Sequence, residues 1–353
     1  MSRTRRTLQA GVLTAALALS GAGAAPALAG HGRHSGHGGG GHYTTKTPTS
    51  RGTGGAVTSV DPEASKIGLE VLRHGGNAAD AIISMAAALG VTEPYSSGIG
   101  GGGYFVYYDA KHHKVASIDG RETSPQSMPH DAFIDPKTGK PYNFTPELVT
   151  SGVSVGTPGT PATWDLALRT WGTIGFAEAL KPATKLAERG FVVDKTFRQQ
   201  TLDNKARFSA FNSTRKLYLP GGDAPAVGSV LHNPDLAATY RMLARQGVRG
   251  YYTGALAKEI AQTAQHPPKR SDTNLPVPPG YLHRSDLAGY RAKVQQPTHI
   301  DYRGLDVYGI APSSSGGTTG GEALNILEQF NIAGMSPADA LHHYLEASAL
   351  AFA

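Results

Sequence analysis

A glycine-rich loop and an arginine that follows it are the residues of this sequence best suited to binding a small molecule. The loop carries glycine at position 98 and at positions 100–103. Glycine lets the backbone adopt positive φ or approach a ligand or another backbone closely. Arg121 presents a guanidinium, which can hold a carboxylate through two parallel hydrogen bonds. Because Glu122 is its neighbour, a structural ion pair with an acidic residue is an equally open interpretation from the residues alone.

The segments on either side of this loop are predicted to hold it rigidly. Before it, residues 78–89 form a helical pattern that is apolar on every side, which is typical of a buried helix, and Gly90 is expected to end it. After it, residues 104–108 and 115–119 are rich in aromatic and β-branched side chains and predict two strands joined by a polar turn. Arg121 then follows the end of the second strand.

The rest of the chain predicts a mixture of helices, loops and short strands. A composition of 39% hydrophobic and 17% charged residues over 353 residues indicates a globular protein with a large core. Helix start signals occur at Asp61-Pro62 and Ser336-Pro337, where a capping side chain precedes a proline. The other predictions are helices at 161–171, 176–189, 236–243, 255–264 and 322–330, a turn or short helix at 285–287, strands at 153–155 and 305–310, and loops at 124–146, 266–280 and 312–317.

Three other patterns are weaker candidates for chemistry. A dinucleotide-binding fingerprint follows a strand and opens a helix, whereas this glycine loop follows a helix and opens a strand. The order of elements therefore argues against nucleotide binding by the loop. Serines 313–315 lie in no G-x-S-x-G elbow, so a structural loop is favoured over a serine hydrolase. The histidine pairs at 112–113 and 342–343 lack the i, i+4 spacing of helical metal ligands. No metal site is therefore expected, and the absence of cysteine excludes thiolate catalysis.

The first 56 residues predict export followed by an unstructured leader. Residues 1–29 combine a basic start, an apolar run at 10–19 and an A-x-A cleavage site, the pattern of a secretory signal peptide. Residues 30–56 are rich in glycine and histidine and nearly free of apolar residues, which predicts a disordered leader. Adventitious metal binding by its histidines is the alternative. The mature protein is expected to start at Gly30 and to be secreted or periplasmic.

The charge distribution argues against a nucleic-acid partner. Six of the 33 lysines and arginines lie before residue 57, where there is no acidic residue. The other 27 equal the 27 aspartates and glutamates, so the remainder of the chain has no net charge. Nucleic-acid binding would need a basic domain. No stretch is apolar and long enough to predict a membrane span.

Several motifs in a fixed order give this sequence a family resemblance from residue 57 to residue 353. They are GGNAADAIISMAAALGVTEPYSSGIGGGGYFVYYD, IDGRETSP, SVGTPGTPATWDLALRTWGTIGFAEALKPATKLAERGFVV, SDLAGY and APSSSGG. Together they resemble the large subunit of the γ-glutamyltransferase (glutathione hydrolase) family. The resemblance implies an α+β fold, the four-layer αββα sandwich of the N-terminal-nucleophile hydrolases, incomplete in this chain. It also implies a precursor that cleaves itself into a large and a small subunit.

The resemblance assigns a role to one residue of this chain. In the family, the arginine of an RE dipeptide binds the α-carboxylate of the γ-glutamyl group, and that arginine is Arg121 here. The nucleophile is a threonine that becomes the N-terminus of the small subunit and uses its own amine as base. Its motif is a Thr-Thr or Thr-Ser followed by His or Gln. Thr44-Thr45 precedes the domain and Thr318-Thr319 is expected to lie within the serine-glycine loop, so neither pair can supply it. We therefore expect no catalytic residue in this chain, a nucleophile beyond Ala353, and no activity from the chain alone.

The implied activity is cleavage of glutathione and other γ-glutamyl compounds, with transfer to amino acids, peptides or water. The implied partner is the small subunit from the same precursor, and no cofactor is implied. Two alternatives remain open. One is a cephalosporin or glutaryl acylase of the same fold, whose substrate also presents a carboxylate to the arginine. The other is a catalytically inactive, secreted γ-glutamyl-binding protein.

Overall fold

The computed structural model describes Lys46 and residues 49–353. The predicted signal peptide, residues 1–29, lies outside the described residues, as does most of the predicted leader, residues 30–56. Lys46 is a described part of that leader, and its ammonium lies 2.9 Å from the Asp194 carboxylate.

The described residues form an α+β structure in which helices predominate. The helices are α1 (Pro62–Arg73), α2 (Ala78–Thr92), α3 (Thr160–Trp171), α4 (Phe176–Arg189), α5 (Lys195–Asp203), α6 (Lys205–Ser209), α7 (Asn212–Tyr218), α8 (Pro234–Gln246), α9 (Arg249–Tyr252), α10 (Ala255–Gln265), α11 (Arg284–Gly289), α12 (Gly316–Glu328) and α13 (Pro337–Ala351). The strands are β1 (Gly103–Asp109), β2 (Lys114–Gly120), β3 (Ile134–Asp135), β4 (Lys140–Pro141), β5 (Phe191–Val192), β6 (Val230–Leu231), β7 (Lys293–Gln295), β8 (Thr298–Tyr302) and β9 (Leu305–Gly309).

Helix α2 is buried along most of its length and is fixed at its start by a capping box. The backbone N–H of Asp80 donates to Asn77 Oδ1 (3.1 Å), and the backbone N–H of Asn77 donates to Asp80 Oδ2 (2.9 Å). The fully buried Asp80 carboxylate also accepts from Thr173 N (2.9 Å), Thr173 Oγ1 (2.6 Å) and Ile174 N (3.3 Å). The start of α2 is therefore fastened to the loop between α3 and α4.

The sheet that carries the glycine loop has the strand order β1-β2-β7, and both strand pairs are antiparallel. The two predicted strands are confirmed as β1 and β2. Their register pairs Gly103 with Gly120, so the chain returns from the hairpin directly beside the end of the glycine loop. Phe105 and Tyr107, on one face of the sheet, stack on Trp171 of α3 with ring centroids 5.5 and 4.8 Å apart.

The core lies between this sheet and the helices beneath it. Helix α2 packs against α1, α3 and α4, and α4 packs against α8. Large, fully buried side chains from these elements include Ile83, Ile118, Leu180, Leu186, Tyr240 and Leu243. Elsewhere, the β8–β9 hairpin packs against α12, which contacts α13. No helix within the described residues has the length and apolar character needed to cross a membrane.

Several sequence predictions differ from the structure. Helix α2 continues past Gly90 to Thr92, and α12 begins at Gly316, so Thr318-Thr319 lie in a helix and not in the serine-glycine loop. Residues 153–155 form a turn and not a strand, because Val155 N–H bonds back to Gly152 O (3.0 Å). The sequence analysis does not predict helices α5 to α7 and α9 or strands β3 to β8. The starts of α1 and α13 are confirmed, and α3 starts one residue before the predicted position, at Thr160.

Candidate functional site

Arg121 follows β2 at the point where the glycine loop enters β1. Its backbone is held on both sides, since its N–H donates to Asp119 Oδ1 (3.0 Å) and its carbonyl accepts from the Tyr290 hydroxyl (2.9 Å). Its side chain is exposed, and Nη1 donates to Ser313 O (3.0 Å). Within residues 49–353 it forms no ion pair, so the alternative of a structural ion pair with Glu122 or another acidic residue is not realised there.

The serine-glycine loop before α12 reaches the same place from a distant part of the chain. Besides the contact with Arg121, the Ser313 hydroxyl lies 3.2 Å from the Tyr104 hydroxyl. Tyr104 is the second residue of β1, next to the glycine loop. Sequence reasoning from the residues alone treated serines 313–315 as a structural loop, and no spacing signal indicated that this loop meets Arg121.

Two cavities flank the glycine loop and share Gly100 and Glu122 as a common wall. The first, of about 510 Å³, is bounded by the loop, the middle of α2 and the start of α3. The second, of about 440 Å³, contains Arg121. Its other lining residues are Thr123, Ser124, Pro125, Met128, Phe133, Val153, Ser154, Val155 and Gly156.

Part of the glycine content is required by contacts between backbone segments. A Cβ on Gly102 would lie 2.6 Å from Gly120 O and 2.9 Å from the Glu122 backbone nitrogen, closer than real Cβ atoms come. Gly159 approaches the same strand end, because its Cβ would lie 1.9 Å from Gly120 O. The N–H groups of Gly159 and Thr160 donate to Gly101 O (2.9 and 3.1 Å). The loop is therefore held between the end of β2 and the start of α3.

The histidine pairs lie away from this site. His112 Nδ1 is 2.5 Å from Asp109 Oδ2 in the exposed turn of the β1–β2 hairpin. His343 lies on α13 and packs against Phe330, with ring centroids 4.6 Å apart. In the part of the chain that the structure describes, no group of three or more histidine, aspartate or glutamate side chains is placed to hold a metal ion.

Comparison with known proteins identifies similar chains. The family model described as Gamma-glutamyltranspeptidase matches residues 64–353. The glutathione hydrolase proenzyme of Bacillus subtilis (strain 168) is 36% identical over 281 residues, covering 80% of this chain and 46% of the relative. The acylase ACY 1 proenzyme of Pseudomonas sp. (strain V22) is 32% identical over 318 residues, covering 88% of this chain and 54% of the relative. This chain thus spans about half the length of these curated relatives.

A solved structure agrees with the sequence matches. The crystal structure of Helicobacter pylori gamma-glutamyltranspeptidase superposes on this chain with a TM-score of 0.78 and 29% sequence identity. The superposition covers 86% of this chain and 84% of that one.

Proposed function

The chain belongs to the gamma-glutamyltranspeptidase family, and from this premise we propose that it supplies the donor-binding part of an enzyme that cleaves γ-glutamyl compounds. The donor is glutathione or a related γ-glutamyl amide, and the acceptor is an amino acid, a peptide or water. The observation that carries the proposal is the exposed Arg121 guanidinium, held beside the glycine loop and without an ion pair in residues 49–353.

In this proposal, Arg121 binds the α-carboxylate of the γ-glutamyl group. A guanidinium has five N–H donors in a planar fork, and the contact with Ser313 O engages one of its two terminal nitrogens. The remaining donors are sufficient for a two-bond contact with a carboxylate. The adjacent cavity of about 440 Å³ supplies space for a small polar donor.

The covalent chemistry is assigned to residues outside this chain. A threonine hydroxyl attacks the γ-carbonyl carbon while the threonine amine accepts its proton. The amide C–N bond then breaks, and the leaving amine takes up that proton. An acceptor amine or water then attacks the acyl ester carbon and gives a proton to the threonine amine. The ester C–O bond breaks, and the threonine oxygen takes up that proton. Thr318 does not replace this residue, because it lies in α12 with its hydroxyl donating to Ser315 O (3.0 Å).

We also propose that a small subunit from the same precursor covers the open face of the β1-β2-β7 sheet, as the αββα sandwich would require. Alternate residues of a strand point to opposite faces, and Phe105 and Tyr107 face α3. Val106 and Tyr108 therefore face the other way, and they are 46% and 57% exposed. Exposed apolar residues on a sheet face indicate a surface that packs against another element.

The predicted signal peptide supports export of this enzyme to the medium or periplasm.

The test is to assay the complete protein encoded by the gene with γ-glutamyl anilide and with glutaryl cephalosporin. We expect the anilide to be the better substrate. Preference for glutaryl cephalosporin would favour the acylase alternative, which the similarity to the Pseudomonas acylase keeps open. No turnover of either compound, with retained γ-glutamyl binding, would favour the inactive binder.

Substitution of Arg121 tests its role within that assay. Loss of a charge-assisted contact of about 1.5–3 kcal/mol predicts that Arg121→Ala raises the donor KM roughly 10- to 100-fold. Arg121→Lys is expected to restore little of it, since lysine lacks the planar fork. Arg245→Ala, at an exposed position on α8, is the matched control for loss of an arginine. Unchanged kinetic constants for Arg121→Ala would rule out the carboxylate-binding role.

A further inference from the structure

Three tyrosine hydroxyls each donate to a backbone carbonyl in a different segment around the candidate site. Tyr251 donates to Ile99 O in the glycine loop (2.7 Å). Tyr252 donates to Pro158 O in the loop that opens α3 (2.8 Å). Tyr290 donates to Arg121 O (2.9 Å). The segments that carry the acceptors are therefore tied to one group of side chains.

The three rings form a continuous buried cluster behind the site. Tyr251 and Tyr252 are consecutive residues of α9 and meet edge to face, with centroids 4.9 Å apart. Tyr252 stacks on Tyr290 with centroids 5.7 Å apart and an interplanar angle of 9°. The three residues are between 2% and 6% exposed. Burial raises the pKa of each of these tyrosines, so their hydroxyls remain protonated donors at neutral pH.

Tyr290 is itself fixed by the short helix that precedes it. Asp286 of α11 accepts from Gln126 N (3.0 Å), which lies just after the Arg121 segment, and from His283 N (2.8 Å). Helix α11, which Tyr290 directly follows, is therefore fastened to the chain that follows Arg121. Its hydroxyl and the Asp119 carboxylate hold the two peptide groups on either side of the Arg121 Cα.

We propose that Tyr290, supported by Tyr251 and Tyr252, is a positioning residue that fixes the backbone of Arg121 and thereby aims its guanidinium at the donor carboxylate. This inference rests on the proposed function, because it assigns Tyr290 an effect on donor binding. A two-bond contact requires the guanidinium plane to match the carboxylate plane, and that match depends on where the Cα of Arg121 is held. Tyr290 itself does not need to touch the substrate.

Replacing a tyrosine whose role is purely structural would lower stability without changing donor affinity. Tyr240 offers a matched control of this kind. Its hydroxyl also donates to a backbone carbonyl, Ala87 O at 2.9 Å within α2, and its ring is fully buried. Both Tyr290→Phe and Tyr240→Phe remove one neutral hydrogen bond and keep the ring. The two variants therefore differ chiefly in whether the released carbonyl belongs to Arg121.

The experiment measures steady-state constants for γ-glutamyl anilide in the complete protein. Loss of one neutral hydrogen bond predicts an increase of about 2- to 10-fold in the donor KM for Tyr290→Phe, with kcat changed less than about twofold. Tyr240→Phe is expected to lower the melting temperature and leave KM unchanged. In an Arg121→Ala background, adding Tyr290→Phe is expected to have no further effect on KM, because Tyr290 acts through Arg121.

The outcomes separate this inference from the proposed function. Turnover by the unsubstituted protein together with an unchanged KM for Tyr290→Phe would overturn the role of Tyr290 alone. If Tyr290→Phe raised the donor KM by the same factor in the Arg121→Ala background as in the unsubstituted protein, the role of Tyr290 would also be overturned. Absence of γ-glutamyl turnover and binding in the unsubstituted protein would overturn both. If Tyr290→Phe does not fold, Asp119→Ala releases the other side of the Arg121 backbone, and an unchanged donor KM there would count equally against the inference.

Discussion

Replacement of Asp80 is expected to cause the largest loss of stability among single polar substitutions near α2. Its buried carboxylate accepts four hydrogen bonds, from Asn77 N, Thr173 N, Thr173 Oγ1 and Ile174 N. Asp80→Ala removes the acceptor and leaves these donors in a space that the protein has closed to water. Asp80→Asn keeps the shape of the side chain and one acceptor oxygen but loses the charge.

The size of the effect follows from the number and kind of these contacts. Hydrogen bonds to a charged group contribute about 1.5–3 kcal/mol each, but contacts that share one carboxylate are not additive. We therefore expect Asp80→Ala to lower the free energy of unfolding by about 3–5 kcal/mol, and Asp80→Asn by about 1–3 kcal/mol. Asp165→Ala is the control, because Asp165 pairs with Arg169 (2.8 Å) across one turn of α3, and such helical surface pairs contribute about 0.3–0.5 kcal/mol.

The pH dependence of the same variants gives an independent check. Burial opposes ionisation of Asp80, but hydrogen bonds from Thr173, Asn77 and Ile174 outweigh it and lower its pKa. The unfolded chain, with an aspartate pKa of about 3.9, therefore takes up a proton first as the pH falls. The stabilisation is complete above about pH 5 and is lost as the pH falls through the lowered pKa of the folded protein.

Chemical denaturation of the complete protein at several pH values measures both effects. The difference in unfolding free energy between the unsubstituted protein and Asp80→Asn should be constant above about pH 5 and should shrink below about pH 4. A difference that grows toward low pH would contradict the assigned pKa direction. An Asp80→Ala variant as stable as Asp165→Ala would refute the role of Asp80 in joining α2 to the α3–α4 loop.

Three further predictions concern other parts of the chain. Gly159→Ala should greatly reduce the yield of soluble folded protein, because the added Cβ would lie 1.9 Å from a backbone oxygen. Gly175→Ala is the control and should fold normally, because nothing lies within 4 Å of a Cβ at that position. Soluble yield and melting temperature of the two variants check this. N-terminal sequencing should find Gly30 first, and limited proteolysis should remove residues 30–55 with little change in melting temperature, because the Lys46 side chain is 43% exposed and its single ion pair with Asp194 contributes about 0–1 kcal/mol. Residues 1–353 expressed alone should not cleave γ-glutamyl anilide, and co-expression with the rest of the protein should restore cleavage; turnover by the chain alone would contradict the placement of the nucleophile.

Local signals in the sequence are sufficient for the start of α1 and for the hairpin that follows the glycine loop. Asp61 caps α1 through its bond to Ala64 N (2.9 Å), as the Asp-Pro pair predicts. The richness in aromatic and β-branched residues predicts β1 and β2, and a hairpin necessarily brings its two ends together. The proximity of Arg121 to the glycine loop is therefore a consequence of a local pattern.

The errors occur where packing overrides local propensity. Glycine usually weakens a helix by about 1 kcal/mol, yet α12 begins in a run of glycines. A Cβ on Gly317 would lie 2.3 Å from both Ile310 O and Thr298 Oγ1, so only glycine allows this helix to pack on the strands beside it. Gly90 also lies inside a helix, α2. Glycine is required there by packing, because a Cβ would lie 2.7 Å from the Tyr240 hydroxyl. Thr298 and Tyr240 lie far along the chain from the glycines that they contact, so no local pattern contains this information.

The same reasoning applies to the site itself. Arg121 stood out because its chemistry is evident from its type and its place after a strand. Tyr290 did not, because a tyrosine becomes informative only when its hydroxyl partner is known, and that partner is 169 residues away. Ser313 reaches Arg121 across an even longer separation of 192 residues. A group whose chemistry suits ligand binding is thus the part of a candidate site that sequence can indicate. The groups that aim it must be read from the folded chain, and the comparison of Tyr290→Phe with Tyr240→Phe tests whether that aim matters.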